Sequence, residues 1–422
     1  MDLAKPQLLG TRIAVDIGST VVKLALVAED GSLAAQSFHS RDFRVSIAKQ
    51  VESLLDELGS EGQHDDVLVC SSANGGLRVG IVSLTAHFSG AAVRNQVLVA
   101  GANPVFLRTL DDPGGDPAYV DMLVVTGGVD CEDAGPLARR LARFCVEDYR
   151  FGTLAYAGNK YLANEFLTRF PAATVIPNPL AASLSAKDGG VFETVRRAYL
   201  DDLIYKEGVS ELRSNLSRGI RPTPEVVNRG FHRALLNASR IRIAGACVLL
   251  DIGGATTDLH YTVEMVKEES TERPFSRLSV ARYVFTDLGI VASRDSLLLQ
   301  MRAHPRLYDF LDTVLGEDPR EVYRLLREGD YAPSAQMLSC ACLFLALDRF
   351  AQGRGPGLPV ADLGRLAQVI LTGGAAQALD EETVARIVGL LVPAGGNRID
   401  VLIDRRYQVW VDGITWNGEG NA

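Results

Sequence analysis

Two apolar runs near the start of the chain flank a short turn of small residues. The stretch RIAVDIGSTVVKLALV, residues 12–27, alternates Leu, Ile and Val with small residues, as the strands of a buried hairpin do. Gly18, Ser19 and Thr20 form the predicted turn, and Asp16 lies at the end of the first strand. A carboxylate at the end of a buried strand needs a partner. We therefore expect Asp16 to have a binding partner.

The same pattern returns in the second half of the chain. The stretch CVLLDIGGATTDLHYTV, residues 247–263, again has an apolar strand that ends in Asp-Ile-Gly, a small-residue turn and a second strand. Asp251 repeats Asp16, and Gly253 repeats Gly18. An internal repeat of this kind indicates a duplicated architecture.

The pattern after the first hairpin predicts further strands and helices of a first lobe. We expect a third strand near SLAAQSF, a helix over 45–58, a strand at DVLVC, a helix over 85–100 and a strand over 104–108. This order of elements resembles the ribonuclease-H-like unit, an α/β fold. Together with the repeated hairpin, it predicts two ribonuclease-H-like lobes.

Between the lobes the pattern changes. Three apolar runs over 121–177, separated by helical segments, predict an inserted βαβαβ parallel sheet. Its Thr-Gly-Gly turn at 126–128 is either a simple strand-to-helix turn or part of a second ligand site. Residues 190–244 predict a helical connector. We therefore divide the chain into a first lobe (1–119), the insertion (120–185), the connector (186–246) and a second lobe (247–422) with a helical insertion at about 291–352.

Composition narrows the classes of function. The 422 residues include 47% hydrophobic ones, enough for more than one core, and carry a formal net charge of -9. The chain has no long basic cluster, which argues against a nucleic-acid partner. Its apolar runs are far shorter than the roughly 20 residues that cross a bilayer, so we expect a cytoplasmic protein without a membrane partner. The six cysteines lack the CxxC spacing of a zinc site.

The two turns have the chemistry of a phosphate site. Small residues let the backbone approach a phosphate closely, and successive N–H groups form an anion-binding concavity. Asp16 and Asp251, at the adjoining strand ends, are candidates to hold a hydrated Mg²⁺ and to orient the attacking water. A third element, LTGG over 371–374, precedes a helix and offers a flat surface for an adenosine. A strand follows each of the two phosphate turns, whereas a helix follows the phosphate turn of a P-loop or a Rossmann site.

These three segments resemble the phosphate-1, phosphate-2 and adenosine motifs of the superfamily that contains actin, Hsp70 chaperones and sugar kinases. The resemblance implies an ATPase with ATP and Mg²⁺ as cofactors, in which Asp16 and Asp251 hold Mg²⁺ through water and serve hydrolysis. With the DLGI segment, it implies that the nucleotide-binding residues are Gly18, Ser19, Thr20, Gly253, Gly254, Ala255, Thr256, Gly289, Thr372, Gly373 and Gly374.

A narrower resemblance covers nearly the whole chain. The segments SSANGGLRVGIVSLT, VVTGGVD, YAGNK, RPTPEVV, LDIGGATTDLH, DLGI and LIDRRY are similar, in this order, to the glutamate mutase L family. That resemblance implies an ATP-dependent chaperone that reactivates or matures an adenosylcobalamin-dependent mutase. The alternative is a small-molecule kinase of the sugar-kinase type, and a nucleotide-driven polymer is a more distant one. The motifs do not distinguish these functions by themselves.

Overall fold

The computed structural model describes most of the chain, in segments separated by short gaps. These segments are 12–18, 20–29, 31–42, 44–58, 67–72, 77–112, 118–180, 189–207, 220–237, 239–243, 245–268, 279–315, 319–355, 357–393 and 398–416. Ser19, one of the predicted site residues, lies outside them.

The first lobe begins with the predicted hairpin. Its elements along the chain are β1 (Arg12–Ile17), β2 (Val21–Val27), β3 (Leu33–Ser40), α1 (Ile47–Glu57) and β4 (Val67–Ser71). Strands β1, β2 and β3 are antiparallel neighbours, and β4 runs parallel to β1 on its other side. Ser46 begins α1, because its side chain accepts a hydrogen bond from the Lys49 N–H.

A separate sheet follows in the chain. Its elements are β5 (Arg78–Ser83), α2 (Ala91–Val99), β6 (Asn103–Thr109), β7 (Val120–Thr126), α3 (Gly135–Arg143), β8 (Phe151–Tyr156), α4 (Ala163–Arg169) and β9 (Thr174–Val175). All its strand pairs are parallel, in the order β6-β5-β7-β8-β9. We call residues 78–175 the parallel-sheet unit.

The chain then returns to the first lobe. The next elements are α5 (Gly190–Glu207), β10 (Ile220–Pro222) and α6 (Thr223–Leu235). Strand β10 pairs in parallel with β4, which completes a five-stranded sheet of order β10-β4-β1-β2-β3. The parallel-sheet unit is therefore inserted between the fourth and fifth strands of the first lobe.

One strand that was expected in the first lobe belongs to a different sheet. The apolar run over 104–108 does form a strand, β6, but β6 pairs with β5 in the parallel-sheet unit. That sheet begins at Arg78, upstream of the expected start at 120. The last strand of the first lobe is β10, which has three residues and lies where a helical connector was predicted. Three residues are too few to show an alternating pattern. The domain boundaries given above stay predictions.

The second lobe repeats the first. Its elements are β11 (Cys247–Ile252), β12 (Thr257–Thr262), β13 (Val280–Phe285), α7 (Arg294–Ala303), α8 (Leu307–Leu315), α9 (Arg320–Glu328), α10 (Ala335–Gln352), β14 (Gln368–Thr372), α11 (Glu381–Leu391), β15 (Asp400–Ile403) and α12 (Gln408–Thr415). The sheet order is β13-β12-β11-β14-β15, with the same antiparallel and parallel pairs as in the first lobe. The duplicated α/β fold is confirmed.

Two helices pack between the lobes. Helices α6 and α12 contact each other where Gly230 faces the Val409 carbonyl and Gly413 faces the Val226 carbonyl. A Cβ on either glycine would lie 1.9 Å from the facing carbonyl oxygen, so only glycine permits this approach. The buried apolar residues around these helices come from both lobes, including Ala14, Leu249 and Ile370. In the described part of the chain, no helix is long and apolar enough to span a bilayer.

Candidate nucleotide-binding site

A cleft lies between the turns of the two repeated hairpins. The space between its lining atoms, open solvent included, is about 580 Å³. The lining residues come from both lobes and from the start of α6: Asp16, Gly18, Thr20, Val21, Lys23, Ser72, Thr223, Pro224, Asp251, Gly253, Gly254, Ala255, Thr256, Asp258, Gly373 and Gly374.

The two turns have the same hydrogen bond. The Gly18 N–H donates to the Val21 carbonyl at 2.9 Å, and the Gly253 N–H donates to the Thr256 carbonyl at 2.9 Å. A Cβ would lie 2.7 Å from the Val21 oxygen at Gly18 and 3.1 Å from the Thr256 oxygen at Gly253. Glycine is therefore required for the tight closure of the first turn and favoured in the second.

The turns also touch each other across the cleft. A Cβ on Gly254 would lie 2.3 Å from the Thr20 methyl carbon, so the Thr20 side chain packs directly on the Gly254 backbone. The third predicted element lies against the second turn. Gly373 has a φ of +89°, and a Cβ there would lie 2.3 Å from Oδ1 of Asp251. All three glycine elements thus meet at one place.

Asp16 is buried among hydrogen-bond donors. Its Oδ2 accepts from Lys23 Nζ at 2.7 Å, and its Oδ1 accepts from the Thr223 hydroxyl at 2.6 Å and from the Cys70 thiol at 3.4 Å. Burial opposes a charge on Lys23, but attraction to Asp16 and Asp251 outweighs it and raises the pKa of Lys23. The first hairpin therefore carries a compensated ion pair. Lys23 also lies 4.6 Å from the centre of the Tyr407 ring.

Asp251 has a different environment. Its cross-strand neighbour is Asp258, a second carboxylate, where Asp16 faces Lys23. Within the described residues the Asp251 carboxylate accepts no hydrogen bond, whereas Asp258 is held by Arg282. Burial raises the pKa of Asp251 to about 7, and Asp258 and Asp16 add to this shift while Lys23 opposes it. Asp251 is thus a carboxyl group able to take up or release a proton near neutral pH.

The structure brings most of the predicted site residues together. Asp16, Gly18, Thr20, Asp251, Gly253, Gly254, Ala255, Thr256, Gly373 and Gly374 all line the cleft. Gly289 and Thr372 are not among the lining residues. Gly289 packs behind the second turn, where a Cβ would lie 2.4 Å from the Ala255 backbone. The buried Thr372 hydroxyl donates to Asp404 at 3.3 Å. Their roles in binding stay predictions.

Thr223 lines the cleft although it was not predicted from the sequence. Thr223 is separated from Asp16 by 207 positions, so no local pattern connects them. The available signal was the segment RPTPEVV, because a proline at the first helical turn marks a helix start. The other Thr-Gly-Gly, at 126–128, lies at the end of β7, away from the cleft lining. Gly127 packs on Leu84 there, and Gly128 has a φ of +68°, a backbone conformation that favours glycine.

Comparison with known families identifies the chain. The model of the family described as MutL protein matches residues 12–408. This chain belongs to the MutL protein family. A MutL relative, Protein MutL of Clostridium tetanomorphum, is 26% identical over 306 residues, which are 68% of this chain and 65% of the relative. The chain thus spans less than two thirds of that relative's length. Membership of the glutamate mutase L family, expected from the motifs, is confirmed.

The chain is also similar to solved structures at low identity. The activator of the 2-hydroxyisocaproyl-CoA dehydratase from Clostridium difficile, with bound ADPNP, is 10% identical with a TM-score of 0.36, over 96% of this chain and 92% of the other. A ROK family glucokinase from Streptomyces griseus, in complex with glucose and AMPPNP, is 11% identical with a TM-score of 0.35, over 96% and 98%. The duplicated fold is shown by the sheet order of this chain.

Proposed function

We propose that this MutL chain binds Mg·ATP between its lobes, hydrolyses it, and uses the accompanying lobe movement to reactivate or mature an adenosylcobalamin-dependent mutase. The observation that carries the proposal is the pair of matching hairpin turns that face each other across one cleft, each with an aspartate at its strand end. Two such turns contact a chain of phosphates from both sides, and their relative position depends on what lies between them.

The residues present fit a nucleotide's phosphates. The first turn supplies the Thr20 hydroxyl, and the second supplies the Thr256 hydroxyl. The N–H groups of Gly18 and Gly253 already close their turns, so these glycines contribute close approach rather than donors. Lys23 adds a positive charge at the cleft. Phosphate oxygens accept hydrogen bonds from hydroxyl and ammonium groups. Gly374, whose Cβ would meet only the Val21 side chain at 3.5 Å, leaves the third element open for an adenosine.

The carboxylates fit a hydrated cation better than a directly bound one. Among the described residues there is no group of three or more His, Cys, Asp or Glu side chains that would hold a metal ion directly. Mg²⁺ commonly keeps several waters and shares its shell with phosphates, and one or two carboxylates suffice to orient those waters. Asp16 and Asp251, both in the cleft lining, would have this role. Bound Mg²⁺ supplies charge neutralisation for the phosphates.

Each polar side chain of the cleft has its own role in the proposed hydrolysis. Thr20 and Thr256 donate hydrogen bonds to phosphate oxygens, and Lys23 balances negative charge. Asp251, whose carboxylate accepts no hydrogen bond among the described residues, orients the attacking water and receives its proton. Asp16, with one oxygen held by Thr223 and the other by Lys23, keeps a fixed orientation at the opposite wall. Positioning and charge neutralisation account for most of phosphoryl-transfer catalysis.

Membership of the MutL family supports a protein client. The mutase, its cobalamin and the chaperone role follow from the family resemblance rather than from the cleft. A nucleotide drives remodelling only if its states differ in affinity for the client. The insertion over 120–180 or the connector over 190–244 would provide the client surface, because most of the nucleotide cleft is built without them.

The test combines binding, turnover and reactivation. Calorimetry of the full chain with Mg·ATP should show binding, and a coupled assay should show ATP turnover without any added sugar. A cobalamin mutase inactivated by cyanocobalamin or by turnover should then recover when the chain, Mg·ATP and fresh adenosylcobalamin are added, and not when ATP is omitted. Absence of ATP or ADP binding at millimolar concentration contradicts the site. Turnover that depends on a small-molecule acceptor supports the kinase alternative.

A further inference from the structure

The nucleotide cleft is connected to the parallel-sheet unit by one buried arginine. Arg282, on β13 of the second lobe, is 6% exposed, and its partner Asp258 is 7% exposed. The Arg282 Nε donates to Oδ1 of Asp258 at 2.8 Å, and its Nη2 donates to the same oxygen. Its Nη1 donates to the Leu98 carbonyl at 2.7 Å. Arg282 therefore holds a cleft carboxylate and the end of α2 at the same time.

Helix α2 is a central element of the parallel-sheet unit. It connects β5 with β6, which are adjacent strands of that sheet. The Gln96 side chain on α2 accepts a hydrogen bond from the Phe192 N–H of α5 at 3.0 Å. Its Arg94 is packed so tightly on the second lobe that a Cβ on Gly357 would lie 1.2 Å from Nη1 of Arg94. A displacement at the end of α2 is therefore transmitted to the sheet on one side and to the second lobe on the other.

The bond between Arg282 and Leu98 is strong for two physical reasons. The Leu98 carbonyl belongs to the last turn of α2, where it also accepts a hydrogen bond from the Gly101 N–H at 3.1 Å and where the helix dipole favours a positive charge. The guanidinium group is also desolvated, and a buried ion pair that loses one partner is strongly destabilised. Arg282 is thus unable to leave Asp258 or α2 without replacement contacts.

The cleft acts on this arginine through Asp258. The other oxygen of Asp258, Oδ2, lies 3.5 Å from the Thr256 hydroxyl, which donates to it. A phosphate that accepts the Thr256 hydroxyl removes this hydrogen bond and brings negative charge close to Asp258. Occupied and empty clefts therefore differ in the contacts of Asp258, and such a difference is what allows a ligand to shift a conformational equilibrium.

We propose that Arg282 is a positioning residue that couples occupancy of the nucleotide cleft to the position of α2 and hence to the parallel-sheet unit. The inference rests on the proposed nucleotide site and adds to it the route by which nucleotide state reaches the sheet inserted into the first lobe. It makes the parallel-sheet unit the nucleotide-responsive part of the client surface.

Hydrogen exchange on the full-length chain tests this coupling. Peptides that cover α2 and β6 are compared with and without Mg·AMPPNP, at saturation established by calorimetry for each variant. In the unmodified chain, nucleotide should change the exchange rate of α2 several-fold. Arg282→Lys keeps the charge but lacks the fork that reaches both Asp258 and Leu98, so the response of α2 should be lost. Arg282→Met should give the same loss, and the lysine variant decides the matter if the methionine variant does not fold.

Arg349→Lys is the matched control. Arg349 makes a two-bond ion pair with Asp287 in the same lobe, at 3.0 and 2.9 Å, and Asp287 is not a cleft residue. This variant should keep the α2 response. The coupling is overturned if α2 responds normally in Arg282→Lys, if the unmodified chain binds nucleotide with no α2 response, or if the control loses the response equally. Failure of the unmodified chain to bind nucleotide appears in calorimetry and overturns the proposed function as well.

Discussion

The two hairpins have the same backbone and opposite electrostatics. Each has an aspartate one residue before the end of its first strand, and each turn is closed by a 2.9 Å hydrogen bond from a glycine N–H to a carbonyl oxygen. Across the strand pair, however, Asp16 faces Lys23, whereas Asp251 faces Asp258. The first aspartate is neutralised and hydrogen-bonded, and the second has a pKa raised to about 7. In the proposed hydrolysis, Asp16 therefore keeps a fixed orientation, and Asp251 is the carboxylate that receives the proton.

Substitution of the two aspartates should have its largest effect on ATP turnover. Asp251→Asn removes the proton acceptor and one negative charge, so ATP turnover should fall by about 100-fold or more. Asp16→Asn should also reduce turnover, because it removes a carboxylate that orients the hydrated cation. A coupled ATPase assay measures both. Unchanged turnover in both variants contradicts the proposed roles, and circular dichroism confirms that each variant is folded.

The same two substitutions should change the free energy of unfolding by different amounts. Asp16→Asn leaves the buried Lys23 ammonium without its 2.7 Å partner, so the free energy of unfolding should fall by about 3 kcal/mol. Asp251→Asn removes a carboxylate that burial already disfavours in its charged form, so the free energy of unfolding should stay equal or rise. Urea denaturation without nucleotide measures both values. Equal losses in the two variants would show that the hairpins do not differ electrostatically.

The contact between the turn tips should have a smaller effect. Gly254→Ala places a methyl group 2.3 Å from the Thr20 methyl carbon and forces the turns apart. We expect Mg·ATP affinity to fall about tenfold, in line with the cost of overpacking a tight contact. Thr20→Ser in the same chain removes the clashing methyl group and should restore part of the affinity. Calorimetry of the single and double variants measures the recovery.

Gly389→Ala is the matched control for that series. Gly389 lies on α11 outside the cleft lining, and an added Cβ there would meet no atom within 4 Å. Affinity should change little. If Gly389→Ala weakens binding as much as Gly254→Ala, then a general effect of the substitution, rather than the turn contact, explains the loss.

A difference between the second strands of the two hairpins predicts that the stability of the protein depends on pH. The position that corresponds to Ala25 of the first hairpin is His260 in the second, where Nδ1 lies 3.0 Å from Oδ1 of Asn228. Burial, aided by Arg282, holds the pKa of His260 well below 6.5. The unfolded chain therefore binds a proton below pH 6.5 that the folded chain does not, and the contribution of His260 to stability falls as pH decreases.

His260→Gln isolates this contribution. The difference in free energy of unfolding between the unmodified chain and the variant should shift against the unmodified chain as pH falls from 7.5 through about 6 to 5, by at most about 1.4 kcal/mol per pH unit. Urea denaturation at each pH provides the measurement. A difference that stays constant over this range would show that His260 titrates normally in the folded state.

Much of the candidate site could be predicted from the sequence because its elements are local. A strand, a glycine turn and a second strand occupy about sixteen consecutive residues, so their periodicity and turn chemistry show directly. The repeat then located the second turn, and the carboxylates Asp16 and Asp251 followed from their place before each turn. Lys23 and Asp258 lie in the same hairpins, but the sequence does not show which charges they face.

The strand pattern by itself determined where the hairpins and the phosphate turns lie, and the tertiary structure decided which distant residues complete them. Thr223 reaches Asp16 across 207 positions, and Arg282 reaches Leu98 across 184. The sequence of strand β6 is an apolar run that does not indicate its sheet. Its hydrogen bonds to β5 assign it to the parallel-sheet unit rather than to the first lobe. The physical reason is that periodicity reports which face of an element is buried, whereas its partner is chosen by packing and hydrogen bonds between segments far apart in the chain.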